Sequence, residues 1–350
     1  MSLAVLIFLA LTPAARPAET ASRYLSRTFF IDRKYPSMLG PHDTRRIRLT
    51  KQAGRGLIWI RGFKSELVGP DGRAPRSPEF MCHVNLDMDA QGHRKLFGWV
   101  KSANERLMTL SQGQFEIVLP RGFGIPVLSD EPLFLAMQVL NHNLEKPKVE
   151  VRHKVTVFIE RARDLPAPLT PLFSASAFVL ALLEGKDGHF GQEKPGVETA
   201  GASCLPGKHA APGVALGLYE DPYGRKMTGH WVVPPGRETR RTLVTKMLNI
   251  PFDTTLHYAA VHLHPFAESL ELRDLTSGRS VFKAKAANIA KGIGLDRVDF
   301  LSSEAGIPIF KGHEFELVSV FDNTSGVEQD AMASMFLYLK DREFKSPSLK

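Results

Sequence analysis

Cysteine is nearly missing from this chain: two residues in 350 exclude a disulfide scaffold or a Cys-rich zinc module and allow at most one disulfide. Long apolar runs are missing beyond the first dozen residues, and no later stretch approaches the roughly 20 residues a bilayer span needs. No Gly-rich loop precedes a helix and no Gly-x-Ser-x-Gly turn occurs, so nucleotide chemistry and serine hydrolysis find no support. An excess of one charge sign is weak and dispersed, with 45 Lys+Arg against 37 Asp+Glu, a net +8. Only Arg45, Arg46, Arg48, Lys51 and Arg55 cluster, without the interleaved aromatics of a nucleic-acid surface, so a solvated face is the expectation and nucleic acid is not an expected partner.

What is present is an ordinary globular composition, 43% hydrophobic and 23% charged, enough apolar material for a sizeable core. Residues 2–11, SLAVLIFLAL, followed by small residues, read as a secretory signal over 1–18, with an uncleaved anchor as the alternative. A periplasmic or secreted protein with no membrane span after cleavage is expected. From Leu57 onward, runs such as GLIWIRGF, LFLAMQVL, VEVRHKVTVFIE, LHYAAVHLH and MASMFLYL are rich in β-branched and aromatic residues and bounded by turn formers. In VEVRHKVTVFIE, Val149, Val151, His153, Val155, Val157 and Ile159 share one face, the period of a half-buried strand. Pro171 to Glu184 and Ser280 to Ile289 come nearest to helices. The expected fold is all-β with sandwich packing. The Gly-, Pro-, Lys- and His-rich stretch 184–227 contains no clean strand and reads as a long insertion or linker between β-rich halves at 27–183 and 228–341.

Twelve histidines are present. His42, His93, His189, His209, His257 and His313 lie in polar surroundings and read as surface residues, and His153 as a core histidine. In YAAVHLHPF, strand geometry puts Tyr258, Ala260, His262 and His264 on one side. Two imidazoles about 7 Å apart along a strand face can converge on one metal ion. Pro265 ends the strand where such a site is expected to open to solvent; a plain surface pair is the equal alternative. In PEFMCHVNLD, Cys82 and His83 are adjacent, so they can meet one ion only at a bulge or a strand end. His142 closes the apolar strand of QVLNHNLEKP.

Taken in order, these segments resemble the ascorbate-dependent type II copper monooxygenases, the family of peptidylglycine α-hydroxylating monooxygenase and dopamine β-monooxygenase. His262 and His264 match the family's His-x-His, and Met332 in EQDAMASMFLYL matches its copper-binding methionine. HWVVPPGRE resembles the start of its second domain, LPRGFGIPV a segment of its first, and Cys82-His83-Val84 and Met137-Gln138-Val139 with His142 its first-domain copper motifs. The resemblance implies two consecutive jelly-roll-like β-sandwich domains holding one or two copper ions across a solvent-filled cleft. It implies O₂ activation and hydroxylation of a small-molecule substrate at His262, His264 and Met332, with ascorbate or another external reductant. It further implies His83, His142 and Cys82 at the first-domain metal. A thioether is a soft donor favouring Cu(I), and two imidazoles suit either oxidation state, which fits a metal that cycles.

Cys82 stands where the family keeps a histidine, and it would favour Cu(I) as a thiolate or pair with Cys204 if oxidised. Ala260 and Phe336 replace the family's substrate-binding arginine and tyrosine, so peptidylglycine is not an expected substrate. The leading expectation is an exported copper monooxygenase acting on an unidentified small molecule. The alternative from another class is a non-catalytic copper carrier or store.

Overall fold

Strand after strand of this chain is bounded by the turn residues that end it, and in the computed structural model the expected all-β class is what these strands build. The structure describes residues 20–35, 37, 39–50, 54–97, 105–182, 218–220 and 224–347. The signal-like run 1–18, and most of the insertion with His189, Cys204 and His209, lie outside the described residues.

Two sandwiches follow one another along the chain. In the N-terminal one, strands Thr20–Leu25, Val149–Arg161, Leu57–Val68 and Phe123–Leu128 form a sheet that faces a four-stranded sheet of His42–Ile47, Leu133–Val139, Met81–Met88 and Arg106–Ser111. Val151, Val155, Val157 and Ile159 are buried between them, which is the inward face the alternation in VEVRHKVTVFIE marks. In the C-terminal sandwich, strands Thr170–Phe178, Ala333–Lys340, Thr254–Leu263 and Leu301–Ile309 face a five-stranded sheet of Gly236–Leu243, Phe315–Asn323, Ala267–Asp274, Arg279–Asn288 and Leu295–Val298.

The first sheets of the two sandwiches are continuous. A short parallel pairing of Thr170 with Phe123 and Pro171 with Gly124 joins them into one ten-stranded sheet. The C-terminal half of that sheet is covered on both faces. Ala333, Met335, Leu337 and Leu339 point into the C-terminal core, while Phe336 and Tyr338, with Tyr258 and Ala260 on the neighbouring strand, belong to the N-terminal core. Burial on both faces is why MASMFLYL reads as an unbroken apolar run rather than an alternating one.

Three local expectations are corrected. Both segments nearest to helices are strands, Thr170–Phe178 and Arg279–Asn288. The first alternates between the two cores and pairs along its length with Ala333–Lys340, and tertiary burial outweighs the helix-compatible pattern. Although it falls by sequence in the 27–183 half, its hydrogen bonds lie with the C-terminal sheet. The insertion ends in two short strands, Leu218–Glu220 and Lys226–Thr228, the latter paired also with Ala181–Leu182.

Candidate metal centre

The strand Thr254–Leu263 carries His262, with His264 directly after its end, and both histidines are buried. His262 lies opposite Ser334 in the ladder with Ala333–Lys340, and the backbone N–H of His264 donates to the carbonyl of Met332 at 3.2 Å. Both imidazoles are 3% exposed, so the solvent-open site expected at Pro265 is instead enclosed. The N-terminal sandwich covers this face. Gln114 reaches across to donate from Nε2 to the Tyr258 hydroxyl at 3.1 Å and to accept at Oε1 from the Val261 N–H at 3.2 Å. Just past His264 the chain turns through Phe266 at φ 69°, a left-handed conformation costly for a bulky residue. Asn288 holds that turn, accepting from the Phe266 N–H at 2.6 Å and donating to the Ala267 carbonyl at 3.1 Å.

Two residues that sequence reasoning did not single out complete the centre. Strand Trp231–Val233 pairs antiparallel with Gln329–Ala331, setting Val232 opposite Asp330 and bringing His230, one residue before the strand, to the same place. The ligand atoms of His230, His264 and Asp330 all lie within 4.8 Å of one another. Asp330 Oδ2 is 2.9 Å from His264 Nδ1 and 3.4 Å from His230 Nε2. None of these three atoms has an aligned hydrogen-bond partner on the protein, although all are buried. The signals were present: HWVVPPGRE and EQDAMASM contain both residues, and Asp330 is a carboxylate at the entrance to an otherwise apolar run.

Electrostatics follow from the enclosure. Burial pulls the His264 imidazole down, but the adjacent Asp330 carboxylate outweighs it and the pKa is raised. Burial likewise pushes the Asp330 carboxyl up, yet His264 and His230 hold it well below the usual carboxylate range. His230 is lowered by burial, with Asp330 only partly offsetting it. Burial drives His262 well below the ordinary imidazole value, and His264, His83, Arg106 and His230 push the same way. Neutral imidazoles and an ionised carboxylate are the forms that bind metal ions.

The other candidate residues divide around this centre. The rings of His262 and His264 are 5.3 Å apart, as are those of His230 and His264, and neither nitrogen of His262 has a hydrogen-bond partner on the protein. Met332 is fully buried and packs with Phe178. His83 and Cys82 are buried in the N-terminal sandwich, with Cys82 Sγ 3.2 Å from His83 Nδ1. His142 is half-buried; burial lowers it, and Asp330, His264 and Cys82 are all near enough to act on it. Of the candidate histidines and Cys82, His264 alone belongs to the convergent group of donors found among the described residues. Two histidines outside it repay comment. His153 is a core residue, as expected. His257, expected at the surface, is buried against Phe123 with its Nδ1 on the Ser303 carbonyl.

No family model and no curated protein matches the chain. Solved structures similar to it include PNGase F, a glycosylasparaginase from Flavobacterium meningosepticum, at 9% identity, covering 94% of this chain and 98% of that one with a TM-score of 0.35. The STIV MCP is 10% identical, covering 91% and 97% with a TM-score of 0.27. PBCV-1 VP54 is 8% identical, covering 97% and 99% with a TM-score of 0.31. Sheet topology defines the class: an all-β protein of two sandwiches, with a buried His-His-Asp cluster at their junction.

Proposed function

We propose that this is a copper-binding protein that holds its ion through His230, His264 and Asp330 between the two sandwiches. One observation carries the reading. Three buried donor atoms converge within 4.8 Å with no aligned hydrogen-bond partner among them, and unpaired buried polar atoms cost roughly 1–3 kcal/mol each unless something satisfies them. A cation at their common point does so. Imidazole and carboxylate donors suit several divalent metals; copper is the choice because the resemblance runs through His262, His264 and Met332 in order. When bound, the ion supplies redox chemistry or simply a cargo. The chain's own part is to exclude water, hold His264 against Asp330 and keep the remaining imidazoles neutral.

Storage or carriage fits the enclosure better than turnover. A hydroxylase needs a substrate path to its metal, and none of the three donors is more than 5% exposed. The apolar run at residues 2–11 supports export to the periplasm or beyond. Protein purified from its own cells should contain stoichiometric copper, and metal-free protein should bind copper tightly, with binding lost in His264→Ala and Asp330→Asn. Purified protein without copper, or affinity unchanged in both variants, overturns the reading. The monooxygenase reading is favoured separately by Met332, whose carbonyl accepts the His264 N–H just past the strand ladder; ascorbate- and O₂-dependent product formation would select it over a carrier.

A further inference from the structure

A cavity of about 830 Å³ lies at the edge of the N-terminal sandwich, where the outermost strands of its two sheets, Thr20–Leu25 and His42–Ile47, come together. Four members of the sequence's basic cluster, Arg45, Arg46, Arg48 and Arg55, line it. Hydrogen bonds fix its walls. The Tyr24 hydroxyl donates to the Arg48 carbonyl at 2.7 Å, and the Ser22 hydroxyl donates to the Leu49 carbonyl, tying one edge to the other. Ser129 Oγ accepts from the Gly56 N–H at 2.9 Å and donates to the Gly54 carbonyl at 3.0 Å, which holds the segment carrying Arg55.

The four guanidinium groups are not equivalent. Arg45 pairs with Asp43 at 2.8 Å, and Arg55 donates from Nε and Nη2 to Asp130 Oδ2 at 2.9 and 2.7 Å. Arg46 and Arg48 are exposed and have no carboxylate partner among the described residues. Charged side chains on an edge strand ordinarily serve to deter pairing with another strand. Here they surround a concavity of the size that encloses a small ligand, with two positive charges in it uncompensated. A buried acceptor is also left over: Asp130 Oδ1 has no hydrogen-bond partner once Oδ2 has taken Arg55.

We propose that this cavity binds the phosphate monoester of a small hydroxylated molecule, a sugar or polyol phosphate, with Arg46 and Arg48 on the phosphate and Asp130 accepting from a hydroxyl of the body. A monoester carries about −1.5 to −2 charge at pH 7, which matches the two arginines without a partner; a carboxylate brings less. Guanidinium groups present paired N–H donors to phosphate oxygens. A phosphate by itself fills only a small part of the cavity, so the ligand has a body. The site shares no residue with the metal centre and does not depend on the metal-binding reading.

Calorimetric titration of the full chain at low ionic strength tests this, with glucose 6-phosphate, glucose 1-phosphate and glycerol 3-phosphate as probes and free phosphate and glucose as references. At least one ester should bind one to one and at least about tenfold more tightly than free phosphate, and glucose should not bind. Arg46→Ala combined with Arg48→Ala should weaken that ester at least about tenfold, the loss expected when charge-assisted hydrogen bonds are removed. Both side chains are exposed, so this variant should keep its fold, which circular dichroism checks. Arg46→Lys with Arg48→Lys keeps the charge without the paired donors and should recover only part of the affinity. Arg237→Ala with Arg241→Ala removes the same charge from the edge strand Gly236–Leu243 of the C-terminal sandwich and should leave the affinity unchanged. No binding of any of the three esters, free phosphate bound as tightly as they are, or equal weakening by the two alanine pairs overturns the proposal.

Discussion

His153 shows what one enclosed side chain implies. Its Nε2 contacts the Gln138 carbonyl at 3.1 Å and its Nδ1 the Ser65 hydroxyl at 3.2 Å, an arrangement that suits the neutral ring with its proton on Nε2 and the hydroxyl donating. Burial, only partly offset by the Gln138 hydrogen bond, lowers its pKa to about 4; His83 adds to the lowering while Cys82 and Asp43 oppose it. The unfolded chain takes up this proton near pH 6.5 and the folded chain does not, so stability is complete above 6.5 and is lost as pH falls toward 4. The loss is on the order of 3 kcal/mol. Urea unfolding at pH 7 and pH 4.5 should show a drop for the native chain that is markedly smaller for His153→Gln. An equal drop in both would refute the assignment. The position of His153 on an apolar strand face was legible in the sequence, since period-2 alternation says which face is buried. Asp330 and His230 were not legible as a pair: nothing local records that Trp231–Val233 lies beside Gln329–Ala331.

Among the elements, the tight turn between strands Arg106–Ser111 and Glu116–Val118, which crosses from one sheet of the N-terminal sandwich to the other, carries the clearest prediction. Ser111 and Gln114 exchange backbone hydrogen bonds around Gln112 and Gly113, and each residue of this turn serves the junction. Gln112 and Gln114 bridge to the C-terminal sandwich through their side chains. Gly113 has φ 82°, accepts from the Val298 N–H, and an added Cβ would come within 2.8 Å of Val298 Cγ2 and 3.0 Å of its backbone nitrogen. Gly113→Ala should therefore cost about 1–3 kcal/mol from backbone strain, with further loss from the forced separation. If the proposed copper site is right, it should also weaken copper binding by loosening the seam. Denaturant midpoints and copper titration of this variant check both effects; native stability would contradict the close approach. At the same scale, Met81 pairs with Val139 and His83 with Gln138, leaving Cys82 as the extra residue of a β-bulge. Sequence could state the condition, that adjacent residues meet only at a bulge or strand end, but the register slip depends on how Leu133–Val139 lies alongside.

At the scale of the whole molecule, the two sandwiches share one sheet and one face of packing. Tyr258, Ala260, Phe336 and Tyr338 leave the C-terminal sheet to enter the N-terminal core, with Tyr258 and Tyr338 edge to face at 5.7 Å between ring centroids. Neither sandwich can unfold without exposing apolar surface of the other, so calorimetry should show one cooperative transition. Phe336→Ala should lower it by about 3–5 kcal/mol without splitting it in two. Two well-separated transitions in the native chain would show that the halves are energetically independent.

The β class, the positions of most strands, the buried face of Val149–Arg161 and the shared face of His262 and His264 were determined by the sequence, because alternation and turn chemistry act over a few residues. Only the tertiary structure decided that the His-x-His face is enclosed and that Asp330 and His230 join it. Those facts depend on which strands lie side by side and which sheet covers which face. Such contacts join residues from 34 to 147 positions apart, and no local pattern encodes them.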